Sequence, residues 1–238
     1  MRFALLLFSI VAAVSLTSCD DDDSPTATLP EGVTVTLSSQ TLVAPARAAG
    51  DLQISRARFV LRDLKFHTPD GPEEMEFVTG PFVVDLNLNG SLNEVAAANV
   101  PADTYDEVRF KIHKLDDDDP RDLAAMREPE FADFVGPDRL SVRVEGTYDD
   151  GNGAAPFNFT SDLNEEQRVF LAPFLTVAEE DSSINVTMIV DTTGWFDDGQ
   201  GGTLDPRNPS NTDEIEENIS SSIDIFEDRD RDGREDDS

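Results

Sequence analysis

The chain has 238 residues, of which 50 are acidic and 18 are basic, and its formal net charge is −32. Polyanionic nucleic acid repels such a chain, and no basic stripe offsets the charge, so we exclude nucleic-acid binding. A single cysteine rules out a disulfide within the chain, and stability must therefore come from a hydrophobic core.

A short apolar segment opens the chain. Residues 3–14 are mostly apolar, Arg2 precedes them, and small or polar residues from Ser15 lead to Cys19, the single cysteine. Spanning a bilayer takes about 20 apolar residues, which argues against a transmembrane anchor. The arrangement resembles a bacterial lipoprotein signal, in which the cysteine becomes the lipidated first residue. We predict a signal peptide over 1–18 and an extracytoplasmic protein that meets the membrane through a lipid on Cys19; an unlipidated secreted thiol is the alternative.

Residues 19–31 form an acidic segment. Four aspartates follow Cys19 directly, and a polar stretch continues to Glu31. Because this composition cannot bury apolar surface, we predict a disordered, solvated tether. The acidic run resembles the surface-export signals of some bacterial lipoproteins, whereas in others an aspartate after the cysteine marks inner-membrane retention. Simple solvation of the linker is a third interpretation.

From Val33 onward, apolar and polar residues alternate with a period of two, which is typical of half-buried antiparallel strands. The alternation recurs at residues 33–37, 82–88, 108–112, 140–144, 157–161 and 184–190. Between Gln53 and His67 the apolar face shifts by one residue, which predicts a β-bulge near Arg62 or Asp63. About eight strands separated by turn clusters favour a mainly β fold, a single antiparallel β-sandwich domain over 32–226.

One short helical insertion and a C-terminal helix are also predicted. Asp119 followed by Pro120 has the pattern of an N-cap with proline at the first helical position. Near the C-terminus, Asn211 with Glu214 gives a capping pattern. Apolar residues then follow with helical spacing, which predicts a helix over about 211–226 that packs on the sandwich. Its apolar face consists of Ile215, Ile219, Ile223 and Phe226.

The acidic tail 227–238 carries the sharpest motif of the sequence. Three aspartates alternate with arginines before a glycine, and a fourth follows: Asp228, Asp230, Asp232 and Asp236. Calcium prefers hard oxygen ligands, and this spacing lets a short loop wrap one ion. The tail resembles the D-x-D-x-D-G calcium loops of EF-hand, dockerin and thrombospondin type 3 repeats, although the distal glutamate of an EF-hand would fall one residue beyond Ser238. We predict a calcium site formed by the four aspartates; a solvated acidic tail is the alternative.

A second acidic loop contains the only tryptophan. Trp195 and Phe196 are a candidate stacking platform for a sugar or an aromatic ligand; alternatively, the two rings plug one end of the sandwich. Asp197, Asp198 and Asp205 are further candidate metal ligands, with a spacing that is not diagnostic.

Candidate catalytic residues are few. The two histidines are His67 and His113, and no nucleophile elbow, zinc-protease motif or phosphate-binding glycine loop occurs. His113 shares the polar face of its strand with Arg109 and Lys111, which predicts a surface position. With 50 acidic residues, neighbouring carboxylates are expected by chance, so a carboxylate-dependent hydrolase is the least favoured class. We predict that the protein is not an enzyme.

Several segments resemble a family of uncharacterised bacterial lipoproteins with a domain of unknown function. "FVVDL" at 82–86 leads to "VPADTYDEVRF" at 100–110, where the family has "PAGTY" and then "I/V-R". "VEGTY" at 144–148, the W-F-D-D-G loop and the acidic tail also match, whereas Asp103 replaces a common glycine. The resemblance implies a β-sandwich displayed outside the cytoplasm. We expect a lipid-anchored binding or display module for a polysaccharide or a surface protein, assisted by calcium; a structural envelope lipoprotein is the alternative.

Overall fold

The alternating segments form strands in the computed structural model of the chain, which describes residues 33–42, 52–69, 75–76 and 80–236. The predicted signal peptide, Cys19 and the tether lie outside these residues. The described strands are β1 (Val33–Leu42), β2 (Leu52–His67), β3 (Met75–Glu76), β4 (Pro81–Asp85), β5 (Asn93–Val100), β6 (Asp103–Ile112), β7 (Val142–Asp149), β8 (Ala154–Ser161), β9 (Glu165–Val177), β10 (Ser183–Asp191) and β11 (Ile223–Glu227).

Two sheets pack together, which confirms the predicted β-sandwich. The smaller sheet has the order β11-β10-β1-β5, and the larger has the order β8-β7-β2-β6-β9, with β3 and β4 also paired to β2. Alternate apolar residues of both inner faces fill the space between them, including Leu37, Phe59, Phe110 and Met188. One pair departs from the antiparallel expectation, because β1 and β10 run parallel. These two strands are far apart in the chain, so no tight hairpin constrains their relative direction.

The predicted β-bulge lies in β2. The pairing of β2 with β6 shifts register between Arg62 and Lys65, and Asp63 has a left-handed backbone with φ of 56°. The extra residue keeps Leu61 and Leu64 both buried in the core, although they are three positions apart. The bulge is therefore confirmed.

The insertion between β6 and β7 packs on the outer face of the larger sheet. Its helix α1 (Pro120–Ala125) begins after Asp119, whose carboxylate accepts a hydrogen bond from the Arg121 N–H at 2.8 Å, as predicted. A 3-10 helix, Pro129–Phe131, follows. The insertion covers Val60 of β2 and builds a second small core there from Val60, Leu115, Ala125, Phe131 and Phe134.

The C-terminal helix is shorter than predicted. Two 3-10 helices, Thr192–Gly194 and Pro209–Asn211, precede α2 (Thr212–Ser220), which buries Ile215 and Ile219. Ile223 and Phe226 were assigned to the helix and lie instead in β11, which pairs antiparallel with β10. The capping prediction is also wrong, because the Asn211 side chain makes no cap and donates to the Asp205 carbonyl at 3.1 Å. In the described ranges no helix is long and apolar enough to span a bilayer.

Candidate metal centre

The C-terminal loop, residues 228–236, continues from strand β11. The Asp228 N–H donates to the Asn185 carbonyl at 3.1 Å, which extends the pairing of β11 with β10 by one residue. The Asp236 N–H donates to the Glu227 carbonyl at 3.1 Å and brings the far end of the loop back to its start. The loop is therefore closed on itself at the edge of the smaller sheet.

Asp228 lies at the base of the loop and has no exposed surface. One carboxylate oxygen accepts from Thr187 Oγ1 at 2.6 Å and from the Gly233 N–H at 3.1 Å, and the other accepts from the Asp232 N–H at 2.9 Å. All three donors are neutral, and no cationic side chain in the described part of the chain pairs with Asp228. Its carboxylate is held firmly, but a charge on it is not neutralised.

A chain of buried hydrogen bonds fixes Asp228 against the smaller sheet. Ser38 Oγ donates to Asn185 Oδ1 at 2.7 Å, and Asn185 Nδ2 donates to Thr187 Oγ1 at 3.0 Å. Thr187 then donates to Asp228, so the base of the loop is connected through β10 to β1. The alternation did not identify these three residues as part of the site; Asn185 and Thr187 are polar positions of the predicted strand 184–190, and Ser38 directly follows the predicted strand 33–37.

Asp228, Asp230 and Asp232, three of the four aspartates that the motif predicted as ligands, lie together. Each places one carboxylate oxygen within 4.8 Å of the others, and Asp230 and Asp232 are exposed. Two oxygens bound to one calcium ion lie up to about 5 Å apart, twice the usual bond length, so one ion can contact all three. These residues fit a calcium ion, and this group of three is the only such group of possible metal ligands within the described ranges.

Gly233 makes the tight turn of the loop possible. Its φ is 79°, in the left-handed region that favours glycine. A Cβ atom at this position would lie 2.6 Å from Gln40 Oε1, so the Gln40 side chain would also have to move. The glycine thus lets the loop fold closely over the outer face of the sheet.

Asp236, the fourth predicted ligand, is not brought into the group. Its Oδ2 accepts from the Arg229 N–H at 2.6 Å, and its own N–H closes the loop on Glu227. In this arrangement Asp236 stabilises the loop rather than adding a carboxylate to the three.

Arg229 is directed away from the three aspartates. Its guanidinium bonds Glu227, the Thr176 carbonyl at 2.6 Å and Asp181 at 3.3 Å. Partial burial acts to lower the Arg229 pKa, but the bond to Glu227 and the charge of Asp181 outweigh it and raise the pKa above its ordinary value. The Ala178 N–H, assisted by Arg229, holds the pKa of Asp181 below its usual range. The positive charge of Arg229 is therefore taken up by Glu227 and Asp181.

The predicted stacking platform is not formed. Trp195 is 0% exposed and its Nε1 donates to Ser222 Oγ at 2.8 Å. Phe196 is also buried and packs edge to face against Phe157, with ring centroids 5.5 Å apart. The two rings belong to the core and plug one end of the sandwich, because α2 and the loop before it cover them.

The other candidate metal ligands shape turns. Asp198 Oδ1 accepts from the Gln200 N–H at 2.8 Å and the Gly202 N–H at 2.7 Å, and these bonds hold the pKa of Asp198 below its usual range. Asp205 bonds Arg207, which likewise lowers the Asp205 pKa. Asp197 accepts from the Gly199 N–H at 2.9 Å. The structure does not assemble them into a metal site.

His113 is buried, so its predicted surface position is wrong. Its Nε2 lies 2.6 Å from Asp122 Oδ2 and 3.2 Å from Arg62 Nη1. Arg62 also donates to Asp122 at 3.0 Å and to Asp119 at 2.5 Å. The cause is the insertion, which folds over the polar face of β6 and encloses the histidine. The result is a buried ionic network that fastens α1 to the larger sheet.

The other histidine, His67, lies on β2, the strand that contains the bulge, and its Nδ1 is 2.9 Å from Asp106 Oδ1.

The fold and the loop together define a mainly β, two-sheet sandwich with an acidic C-terminal loop. No model of a known protein family matches the chain, and no curated protein matches it. Among solved structures, the chain is similar to MbnP from Methylosinus trichosporium, with 11% identity and a TM-score of 0.38. The similarity covers 82% of this chain and 98% of MbnP. These values are too low to transfer a ligand or an activity.

Proposed function

We propose that the protein is a lipid-anchored, extracytoplasmic binding module whose C-terminal loop takes up calcium. The lipid anchor rests on the sequence around Cys19. The calcium site rests on one observation above all, the buried carboxylate of Asp228, which is bonded only by neutral donors. Burying an unpaired charge is costly, and a divalent cation beside Asp228 removes that cost.

Asp230 and Asp232 suit the solvent side of such an ion. Both are exposed, so the ion can enter from water and keep water ligands. In D-x-D-x-D-G loops the seventh position contributes a backbone carbonyl, which here belongs to Arg234. Because the described loop offers the ion three carboxylates, two of them exposed, we expect weak affinity, with a Kd of about 10⁻⁴ to 10⁻³ M, as in extracellular modules.

The calcium proposal predicts that Asp230→Asn combined with Asp232→Asn abolishes calcium binding. The substitutions keep the shape of both side chains but remove the negative charges that hold the ion. Titration calorimetry should show binding to the wild type and no heat of binding for the double variant. Glu128→Gln with Glu130→Gln is the matched control, because it removes the same charge from two exposed positions on the insertion. Identical calcium heats in all three proteins would leave the loop as a solvated acidic tail.

The anchor proposal predicts that Cys19→Ser releases the protein from membranes. Without the thiol no lipid can be attached to residue 19, so the protein should leave the membrane fraction. Fractionation and metabolic labelling with a fatty acid measure the two consequences, and Ser24→Ala in the tether should behave as wild type. A wild-type protein that takes up no label would overturn the proposal.

A further inference from the structure

A cleft of about 400 Å³ lies between strand β9 and the C-terminal loop. One wall includes Pro173 and Phe174, and the other consists of Glu227, Arg229, Asp230 and Asp236. The cleft therefore brings an aromatic ring and several carboxylates together. It lies near the ends of β9 and β11, which are edge strands of the larger and the smaller sheet.

Strand β9 exposes two phenylalanines, of which Phe174 lines this cleft. β9 is the last strand of the larger sheet, and its pairing with β6 is interrupted, since Leu175 faces Tyr105 and Phe170 faces Glu107. The extra residues of β9 form a bulge that keeps leucine side chains buried and turns the aromatic rings outward. Phe170 is 72% exposed and Phe174 is 53% exposed, the highest values for large apolar side chains among the described residues. Neighbouring exposed aromatic side chains on an edge strand are typical of an interaction surface.

The charge of the cleft favours a cationic partner. Asp230 and Asp236 pair with no cationic side chain in the part of the chain that the structure describes. Arg229 does not neutralise them, because its guanidinium is held by Glu227, Asp181 and the Thr176 carbonyl. The net charge of the chain, −32, adds a long-range attraction for basic molecules.

We infer that this surface, the cleft with Phe170 and Phe174, docks a basic, extended polypeptide segment. An arginine or lysine of the partner places its cation over the Phe174 ring and donates to Asp230 or Asp236. Phe170 lies four residues away, up to about 13 Å along an extended strand. A ligand that covers both rings is therefore several residues long and carries apolar side chains next to basic ones, unlike a small amine.

The test uses a synthetic peptide that alternates arginine and valine over eight residues, and a control peptide in which citrulline replaces arginine. Calorimetry at low salt with a chelator should show binding of the arginine peptide and none of the citrulline peptide. Phe170→Ser with Phe174→Ser should weaken binding at least tenfold, with an unchanged circular dichroism spectrum. Glu128→Gln with Glu130→Gln should change it less than twofold. Equal affinity for the wild type and the phenylalanine double variant, or equal weakening by the glutamate pair, would overturn the inference in favour of non-specific attraction.

Measurements with and without calcium distinguish a failure of this inference from a failure of the proposed calcium site. Asp230 belongs to both, so calcium at the loop should weaken binding of the arginine peptide. Peptide binding in the presence of a chelator, together with no heat of calcium binding in the separate calcium titration, would count against the metal site and leave the docking surface in place.

Discussion

Asp122→Ala should lower the free energy of unfolding by about 3–5 kcal/mol, the usual cost of removing one partner from a buried ion pair. Asp122 has no exposed surface and accepts hydrogen bonds from Arg62 at 3.0 Å and from the Asp116 N–H at 2.8 Å. It also lies 2.6 Å from His113 Nε2. Alanine would leave the buried Arg62 and His113 side chains without this acceptor and loosen the insertion from the larger sheet.

Urea denaturation measures this loss, and Asp162→Ala provides the comparison. Asp162 pairs with Lys114, but its side chain is 59% exposed, so the loss of this pair should cost less than about 1 kcal/mol. Losses of equal size in the two variants would show that the Asp122 network does not hold the insertion in place.

Trp195→Ala should cost about 3–5 kcal/mol, because it removes the largest buried side chain and leaves a cavity. It also removes the hydrogen bond from Nε1 to Ser222. Phe174→Ala is the matched aromatic control, and since that ring is half exposed its effect should stay within about 0.5 kcal/mol. Urea denaturation measures the free energy of unfolding of both variants. A Trp195→Ala variant as stable as wild type would reject the role of this ring as a core plug.

The alternation of apolar residues predicted the strands that have one clear apolar face, and it failed where that signal is weak or ambiguous. β5 contains three consecutive alanines, which give little contrast between its faces, and the bulge interrupts the alternation of β9. The segment Ile223–Glu227 fits both a helical and a strand periodicity. Its backbone pairing with β10 decides between them, and that pairing is a long-range contact which local spacing does not contain.

The candidate metal site was likewise predictable from the sequence only where it depends on local spacing. The spacing of Asp228, Asp230 and Asp232 is local, so the sequence predicted that these three carboxylates lie together, whereas Asp236, the fourth predicted ligand, does not join them. Ser38 and Thr187, which hold Asp228, lie far from it in the sequence and meet it only because β1, β10 and β11 are neighbours. The burial of His113 depends on the folding of the insertion, so its position in an alternating strand predicted the wrong environment.

A crystal structure of the protein grown with millimolar calcium tests the calcium site most directly. We expect one ion bound by carboxylate oxygens of Asp228, Asp230 and Asp232 at about 2.3–2.6 Å. A loop without an ion at a saturating concentration, or an ion that does not contact Asp228, would contradict the proposed calcium site.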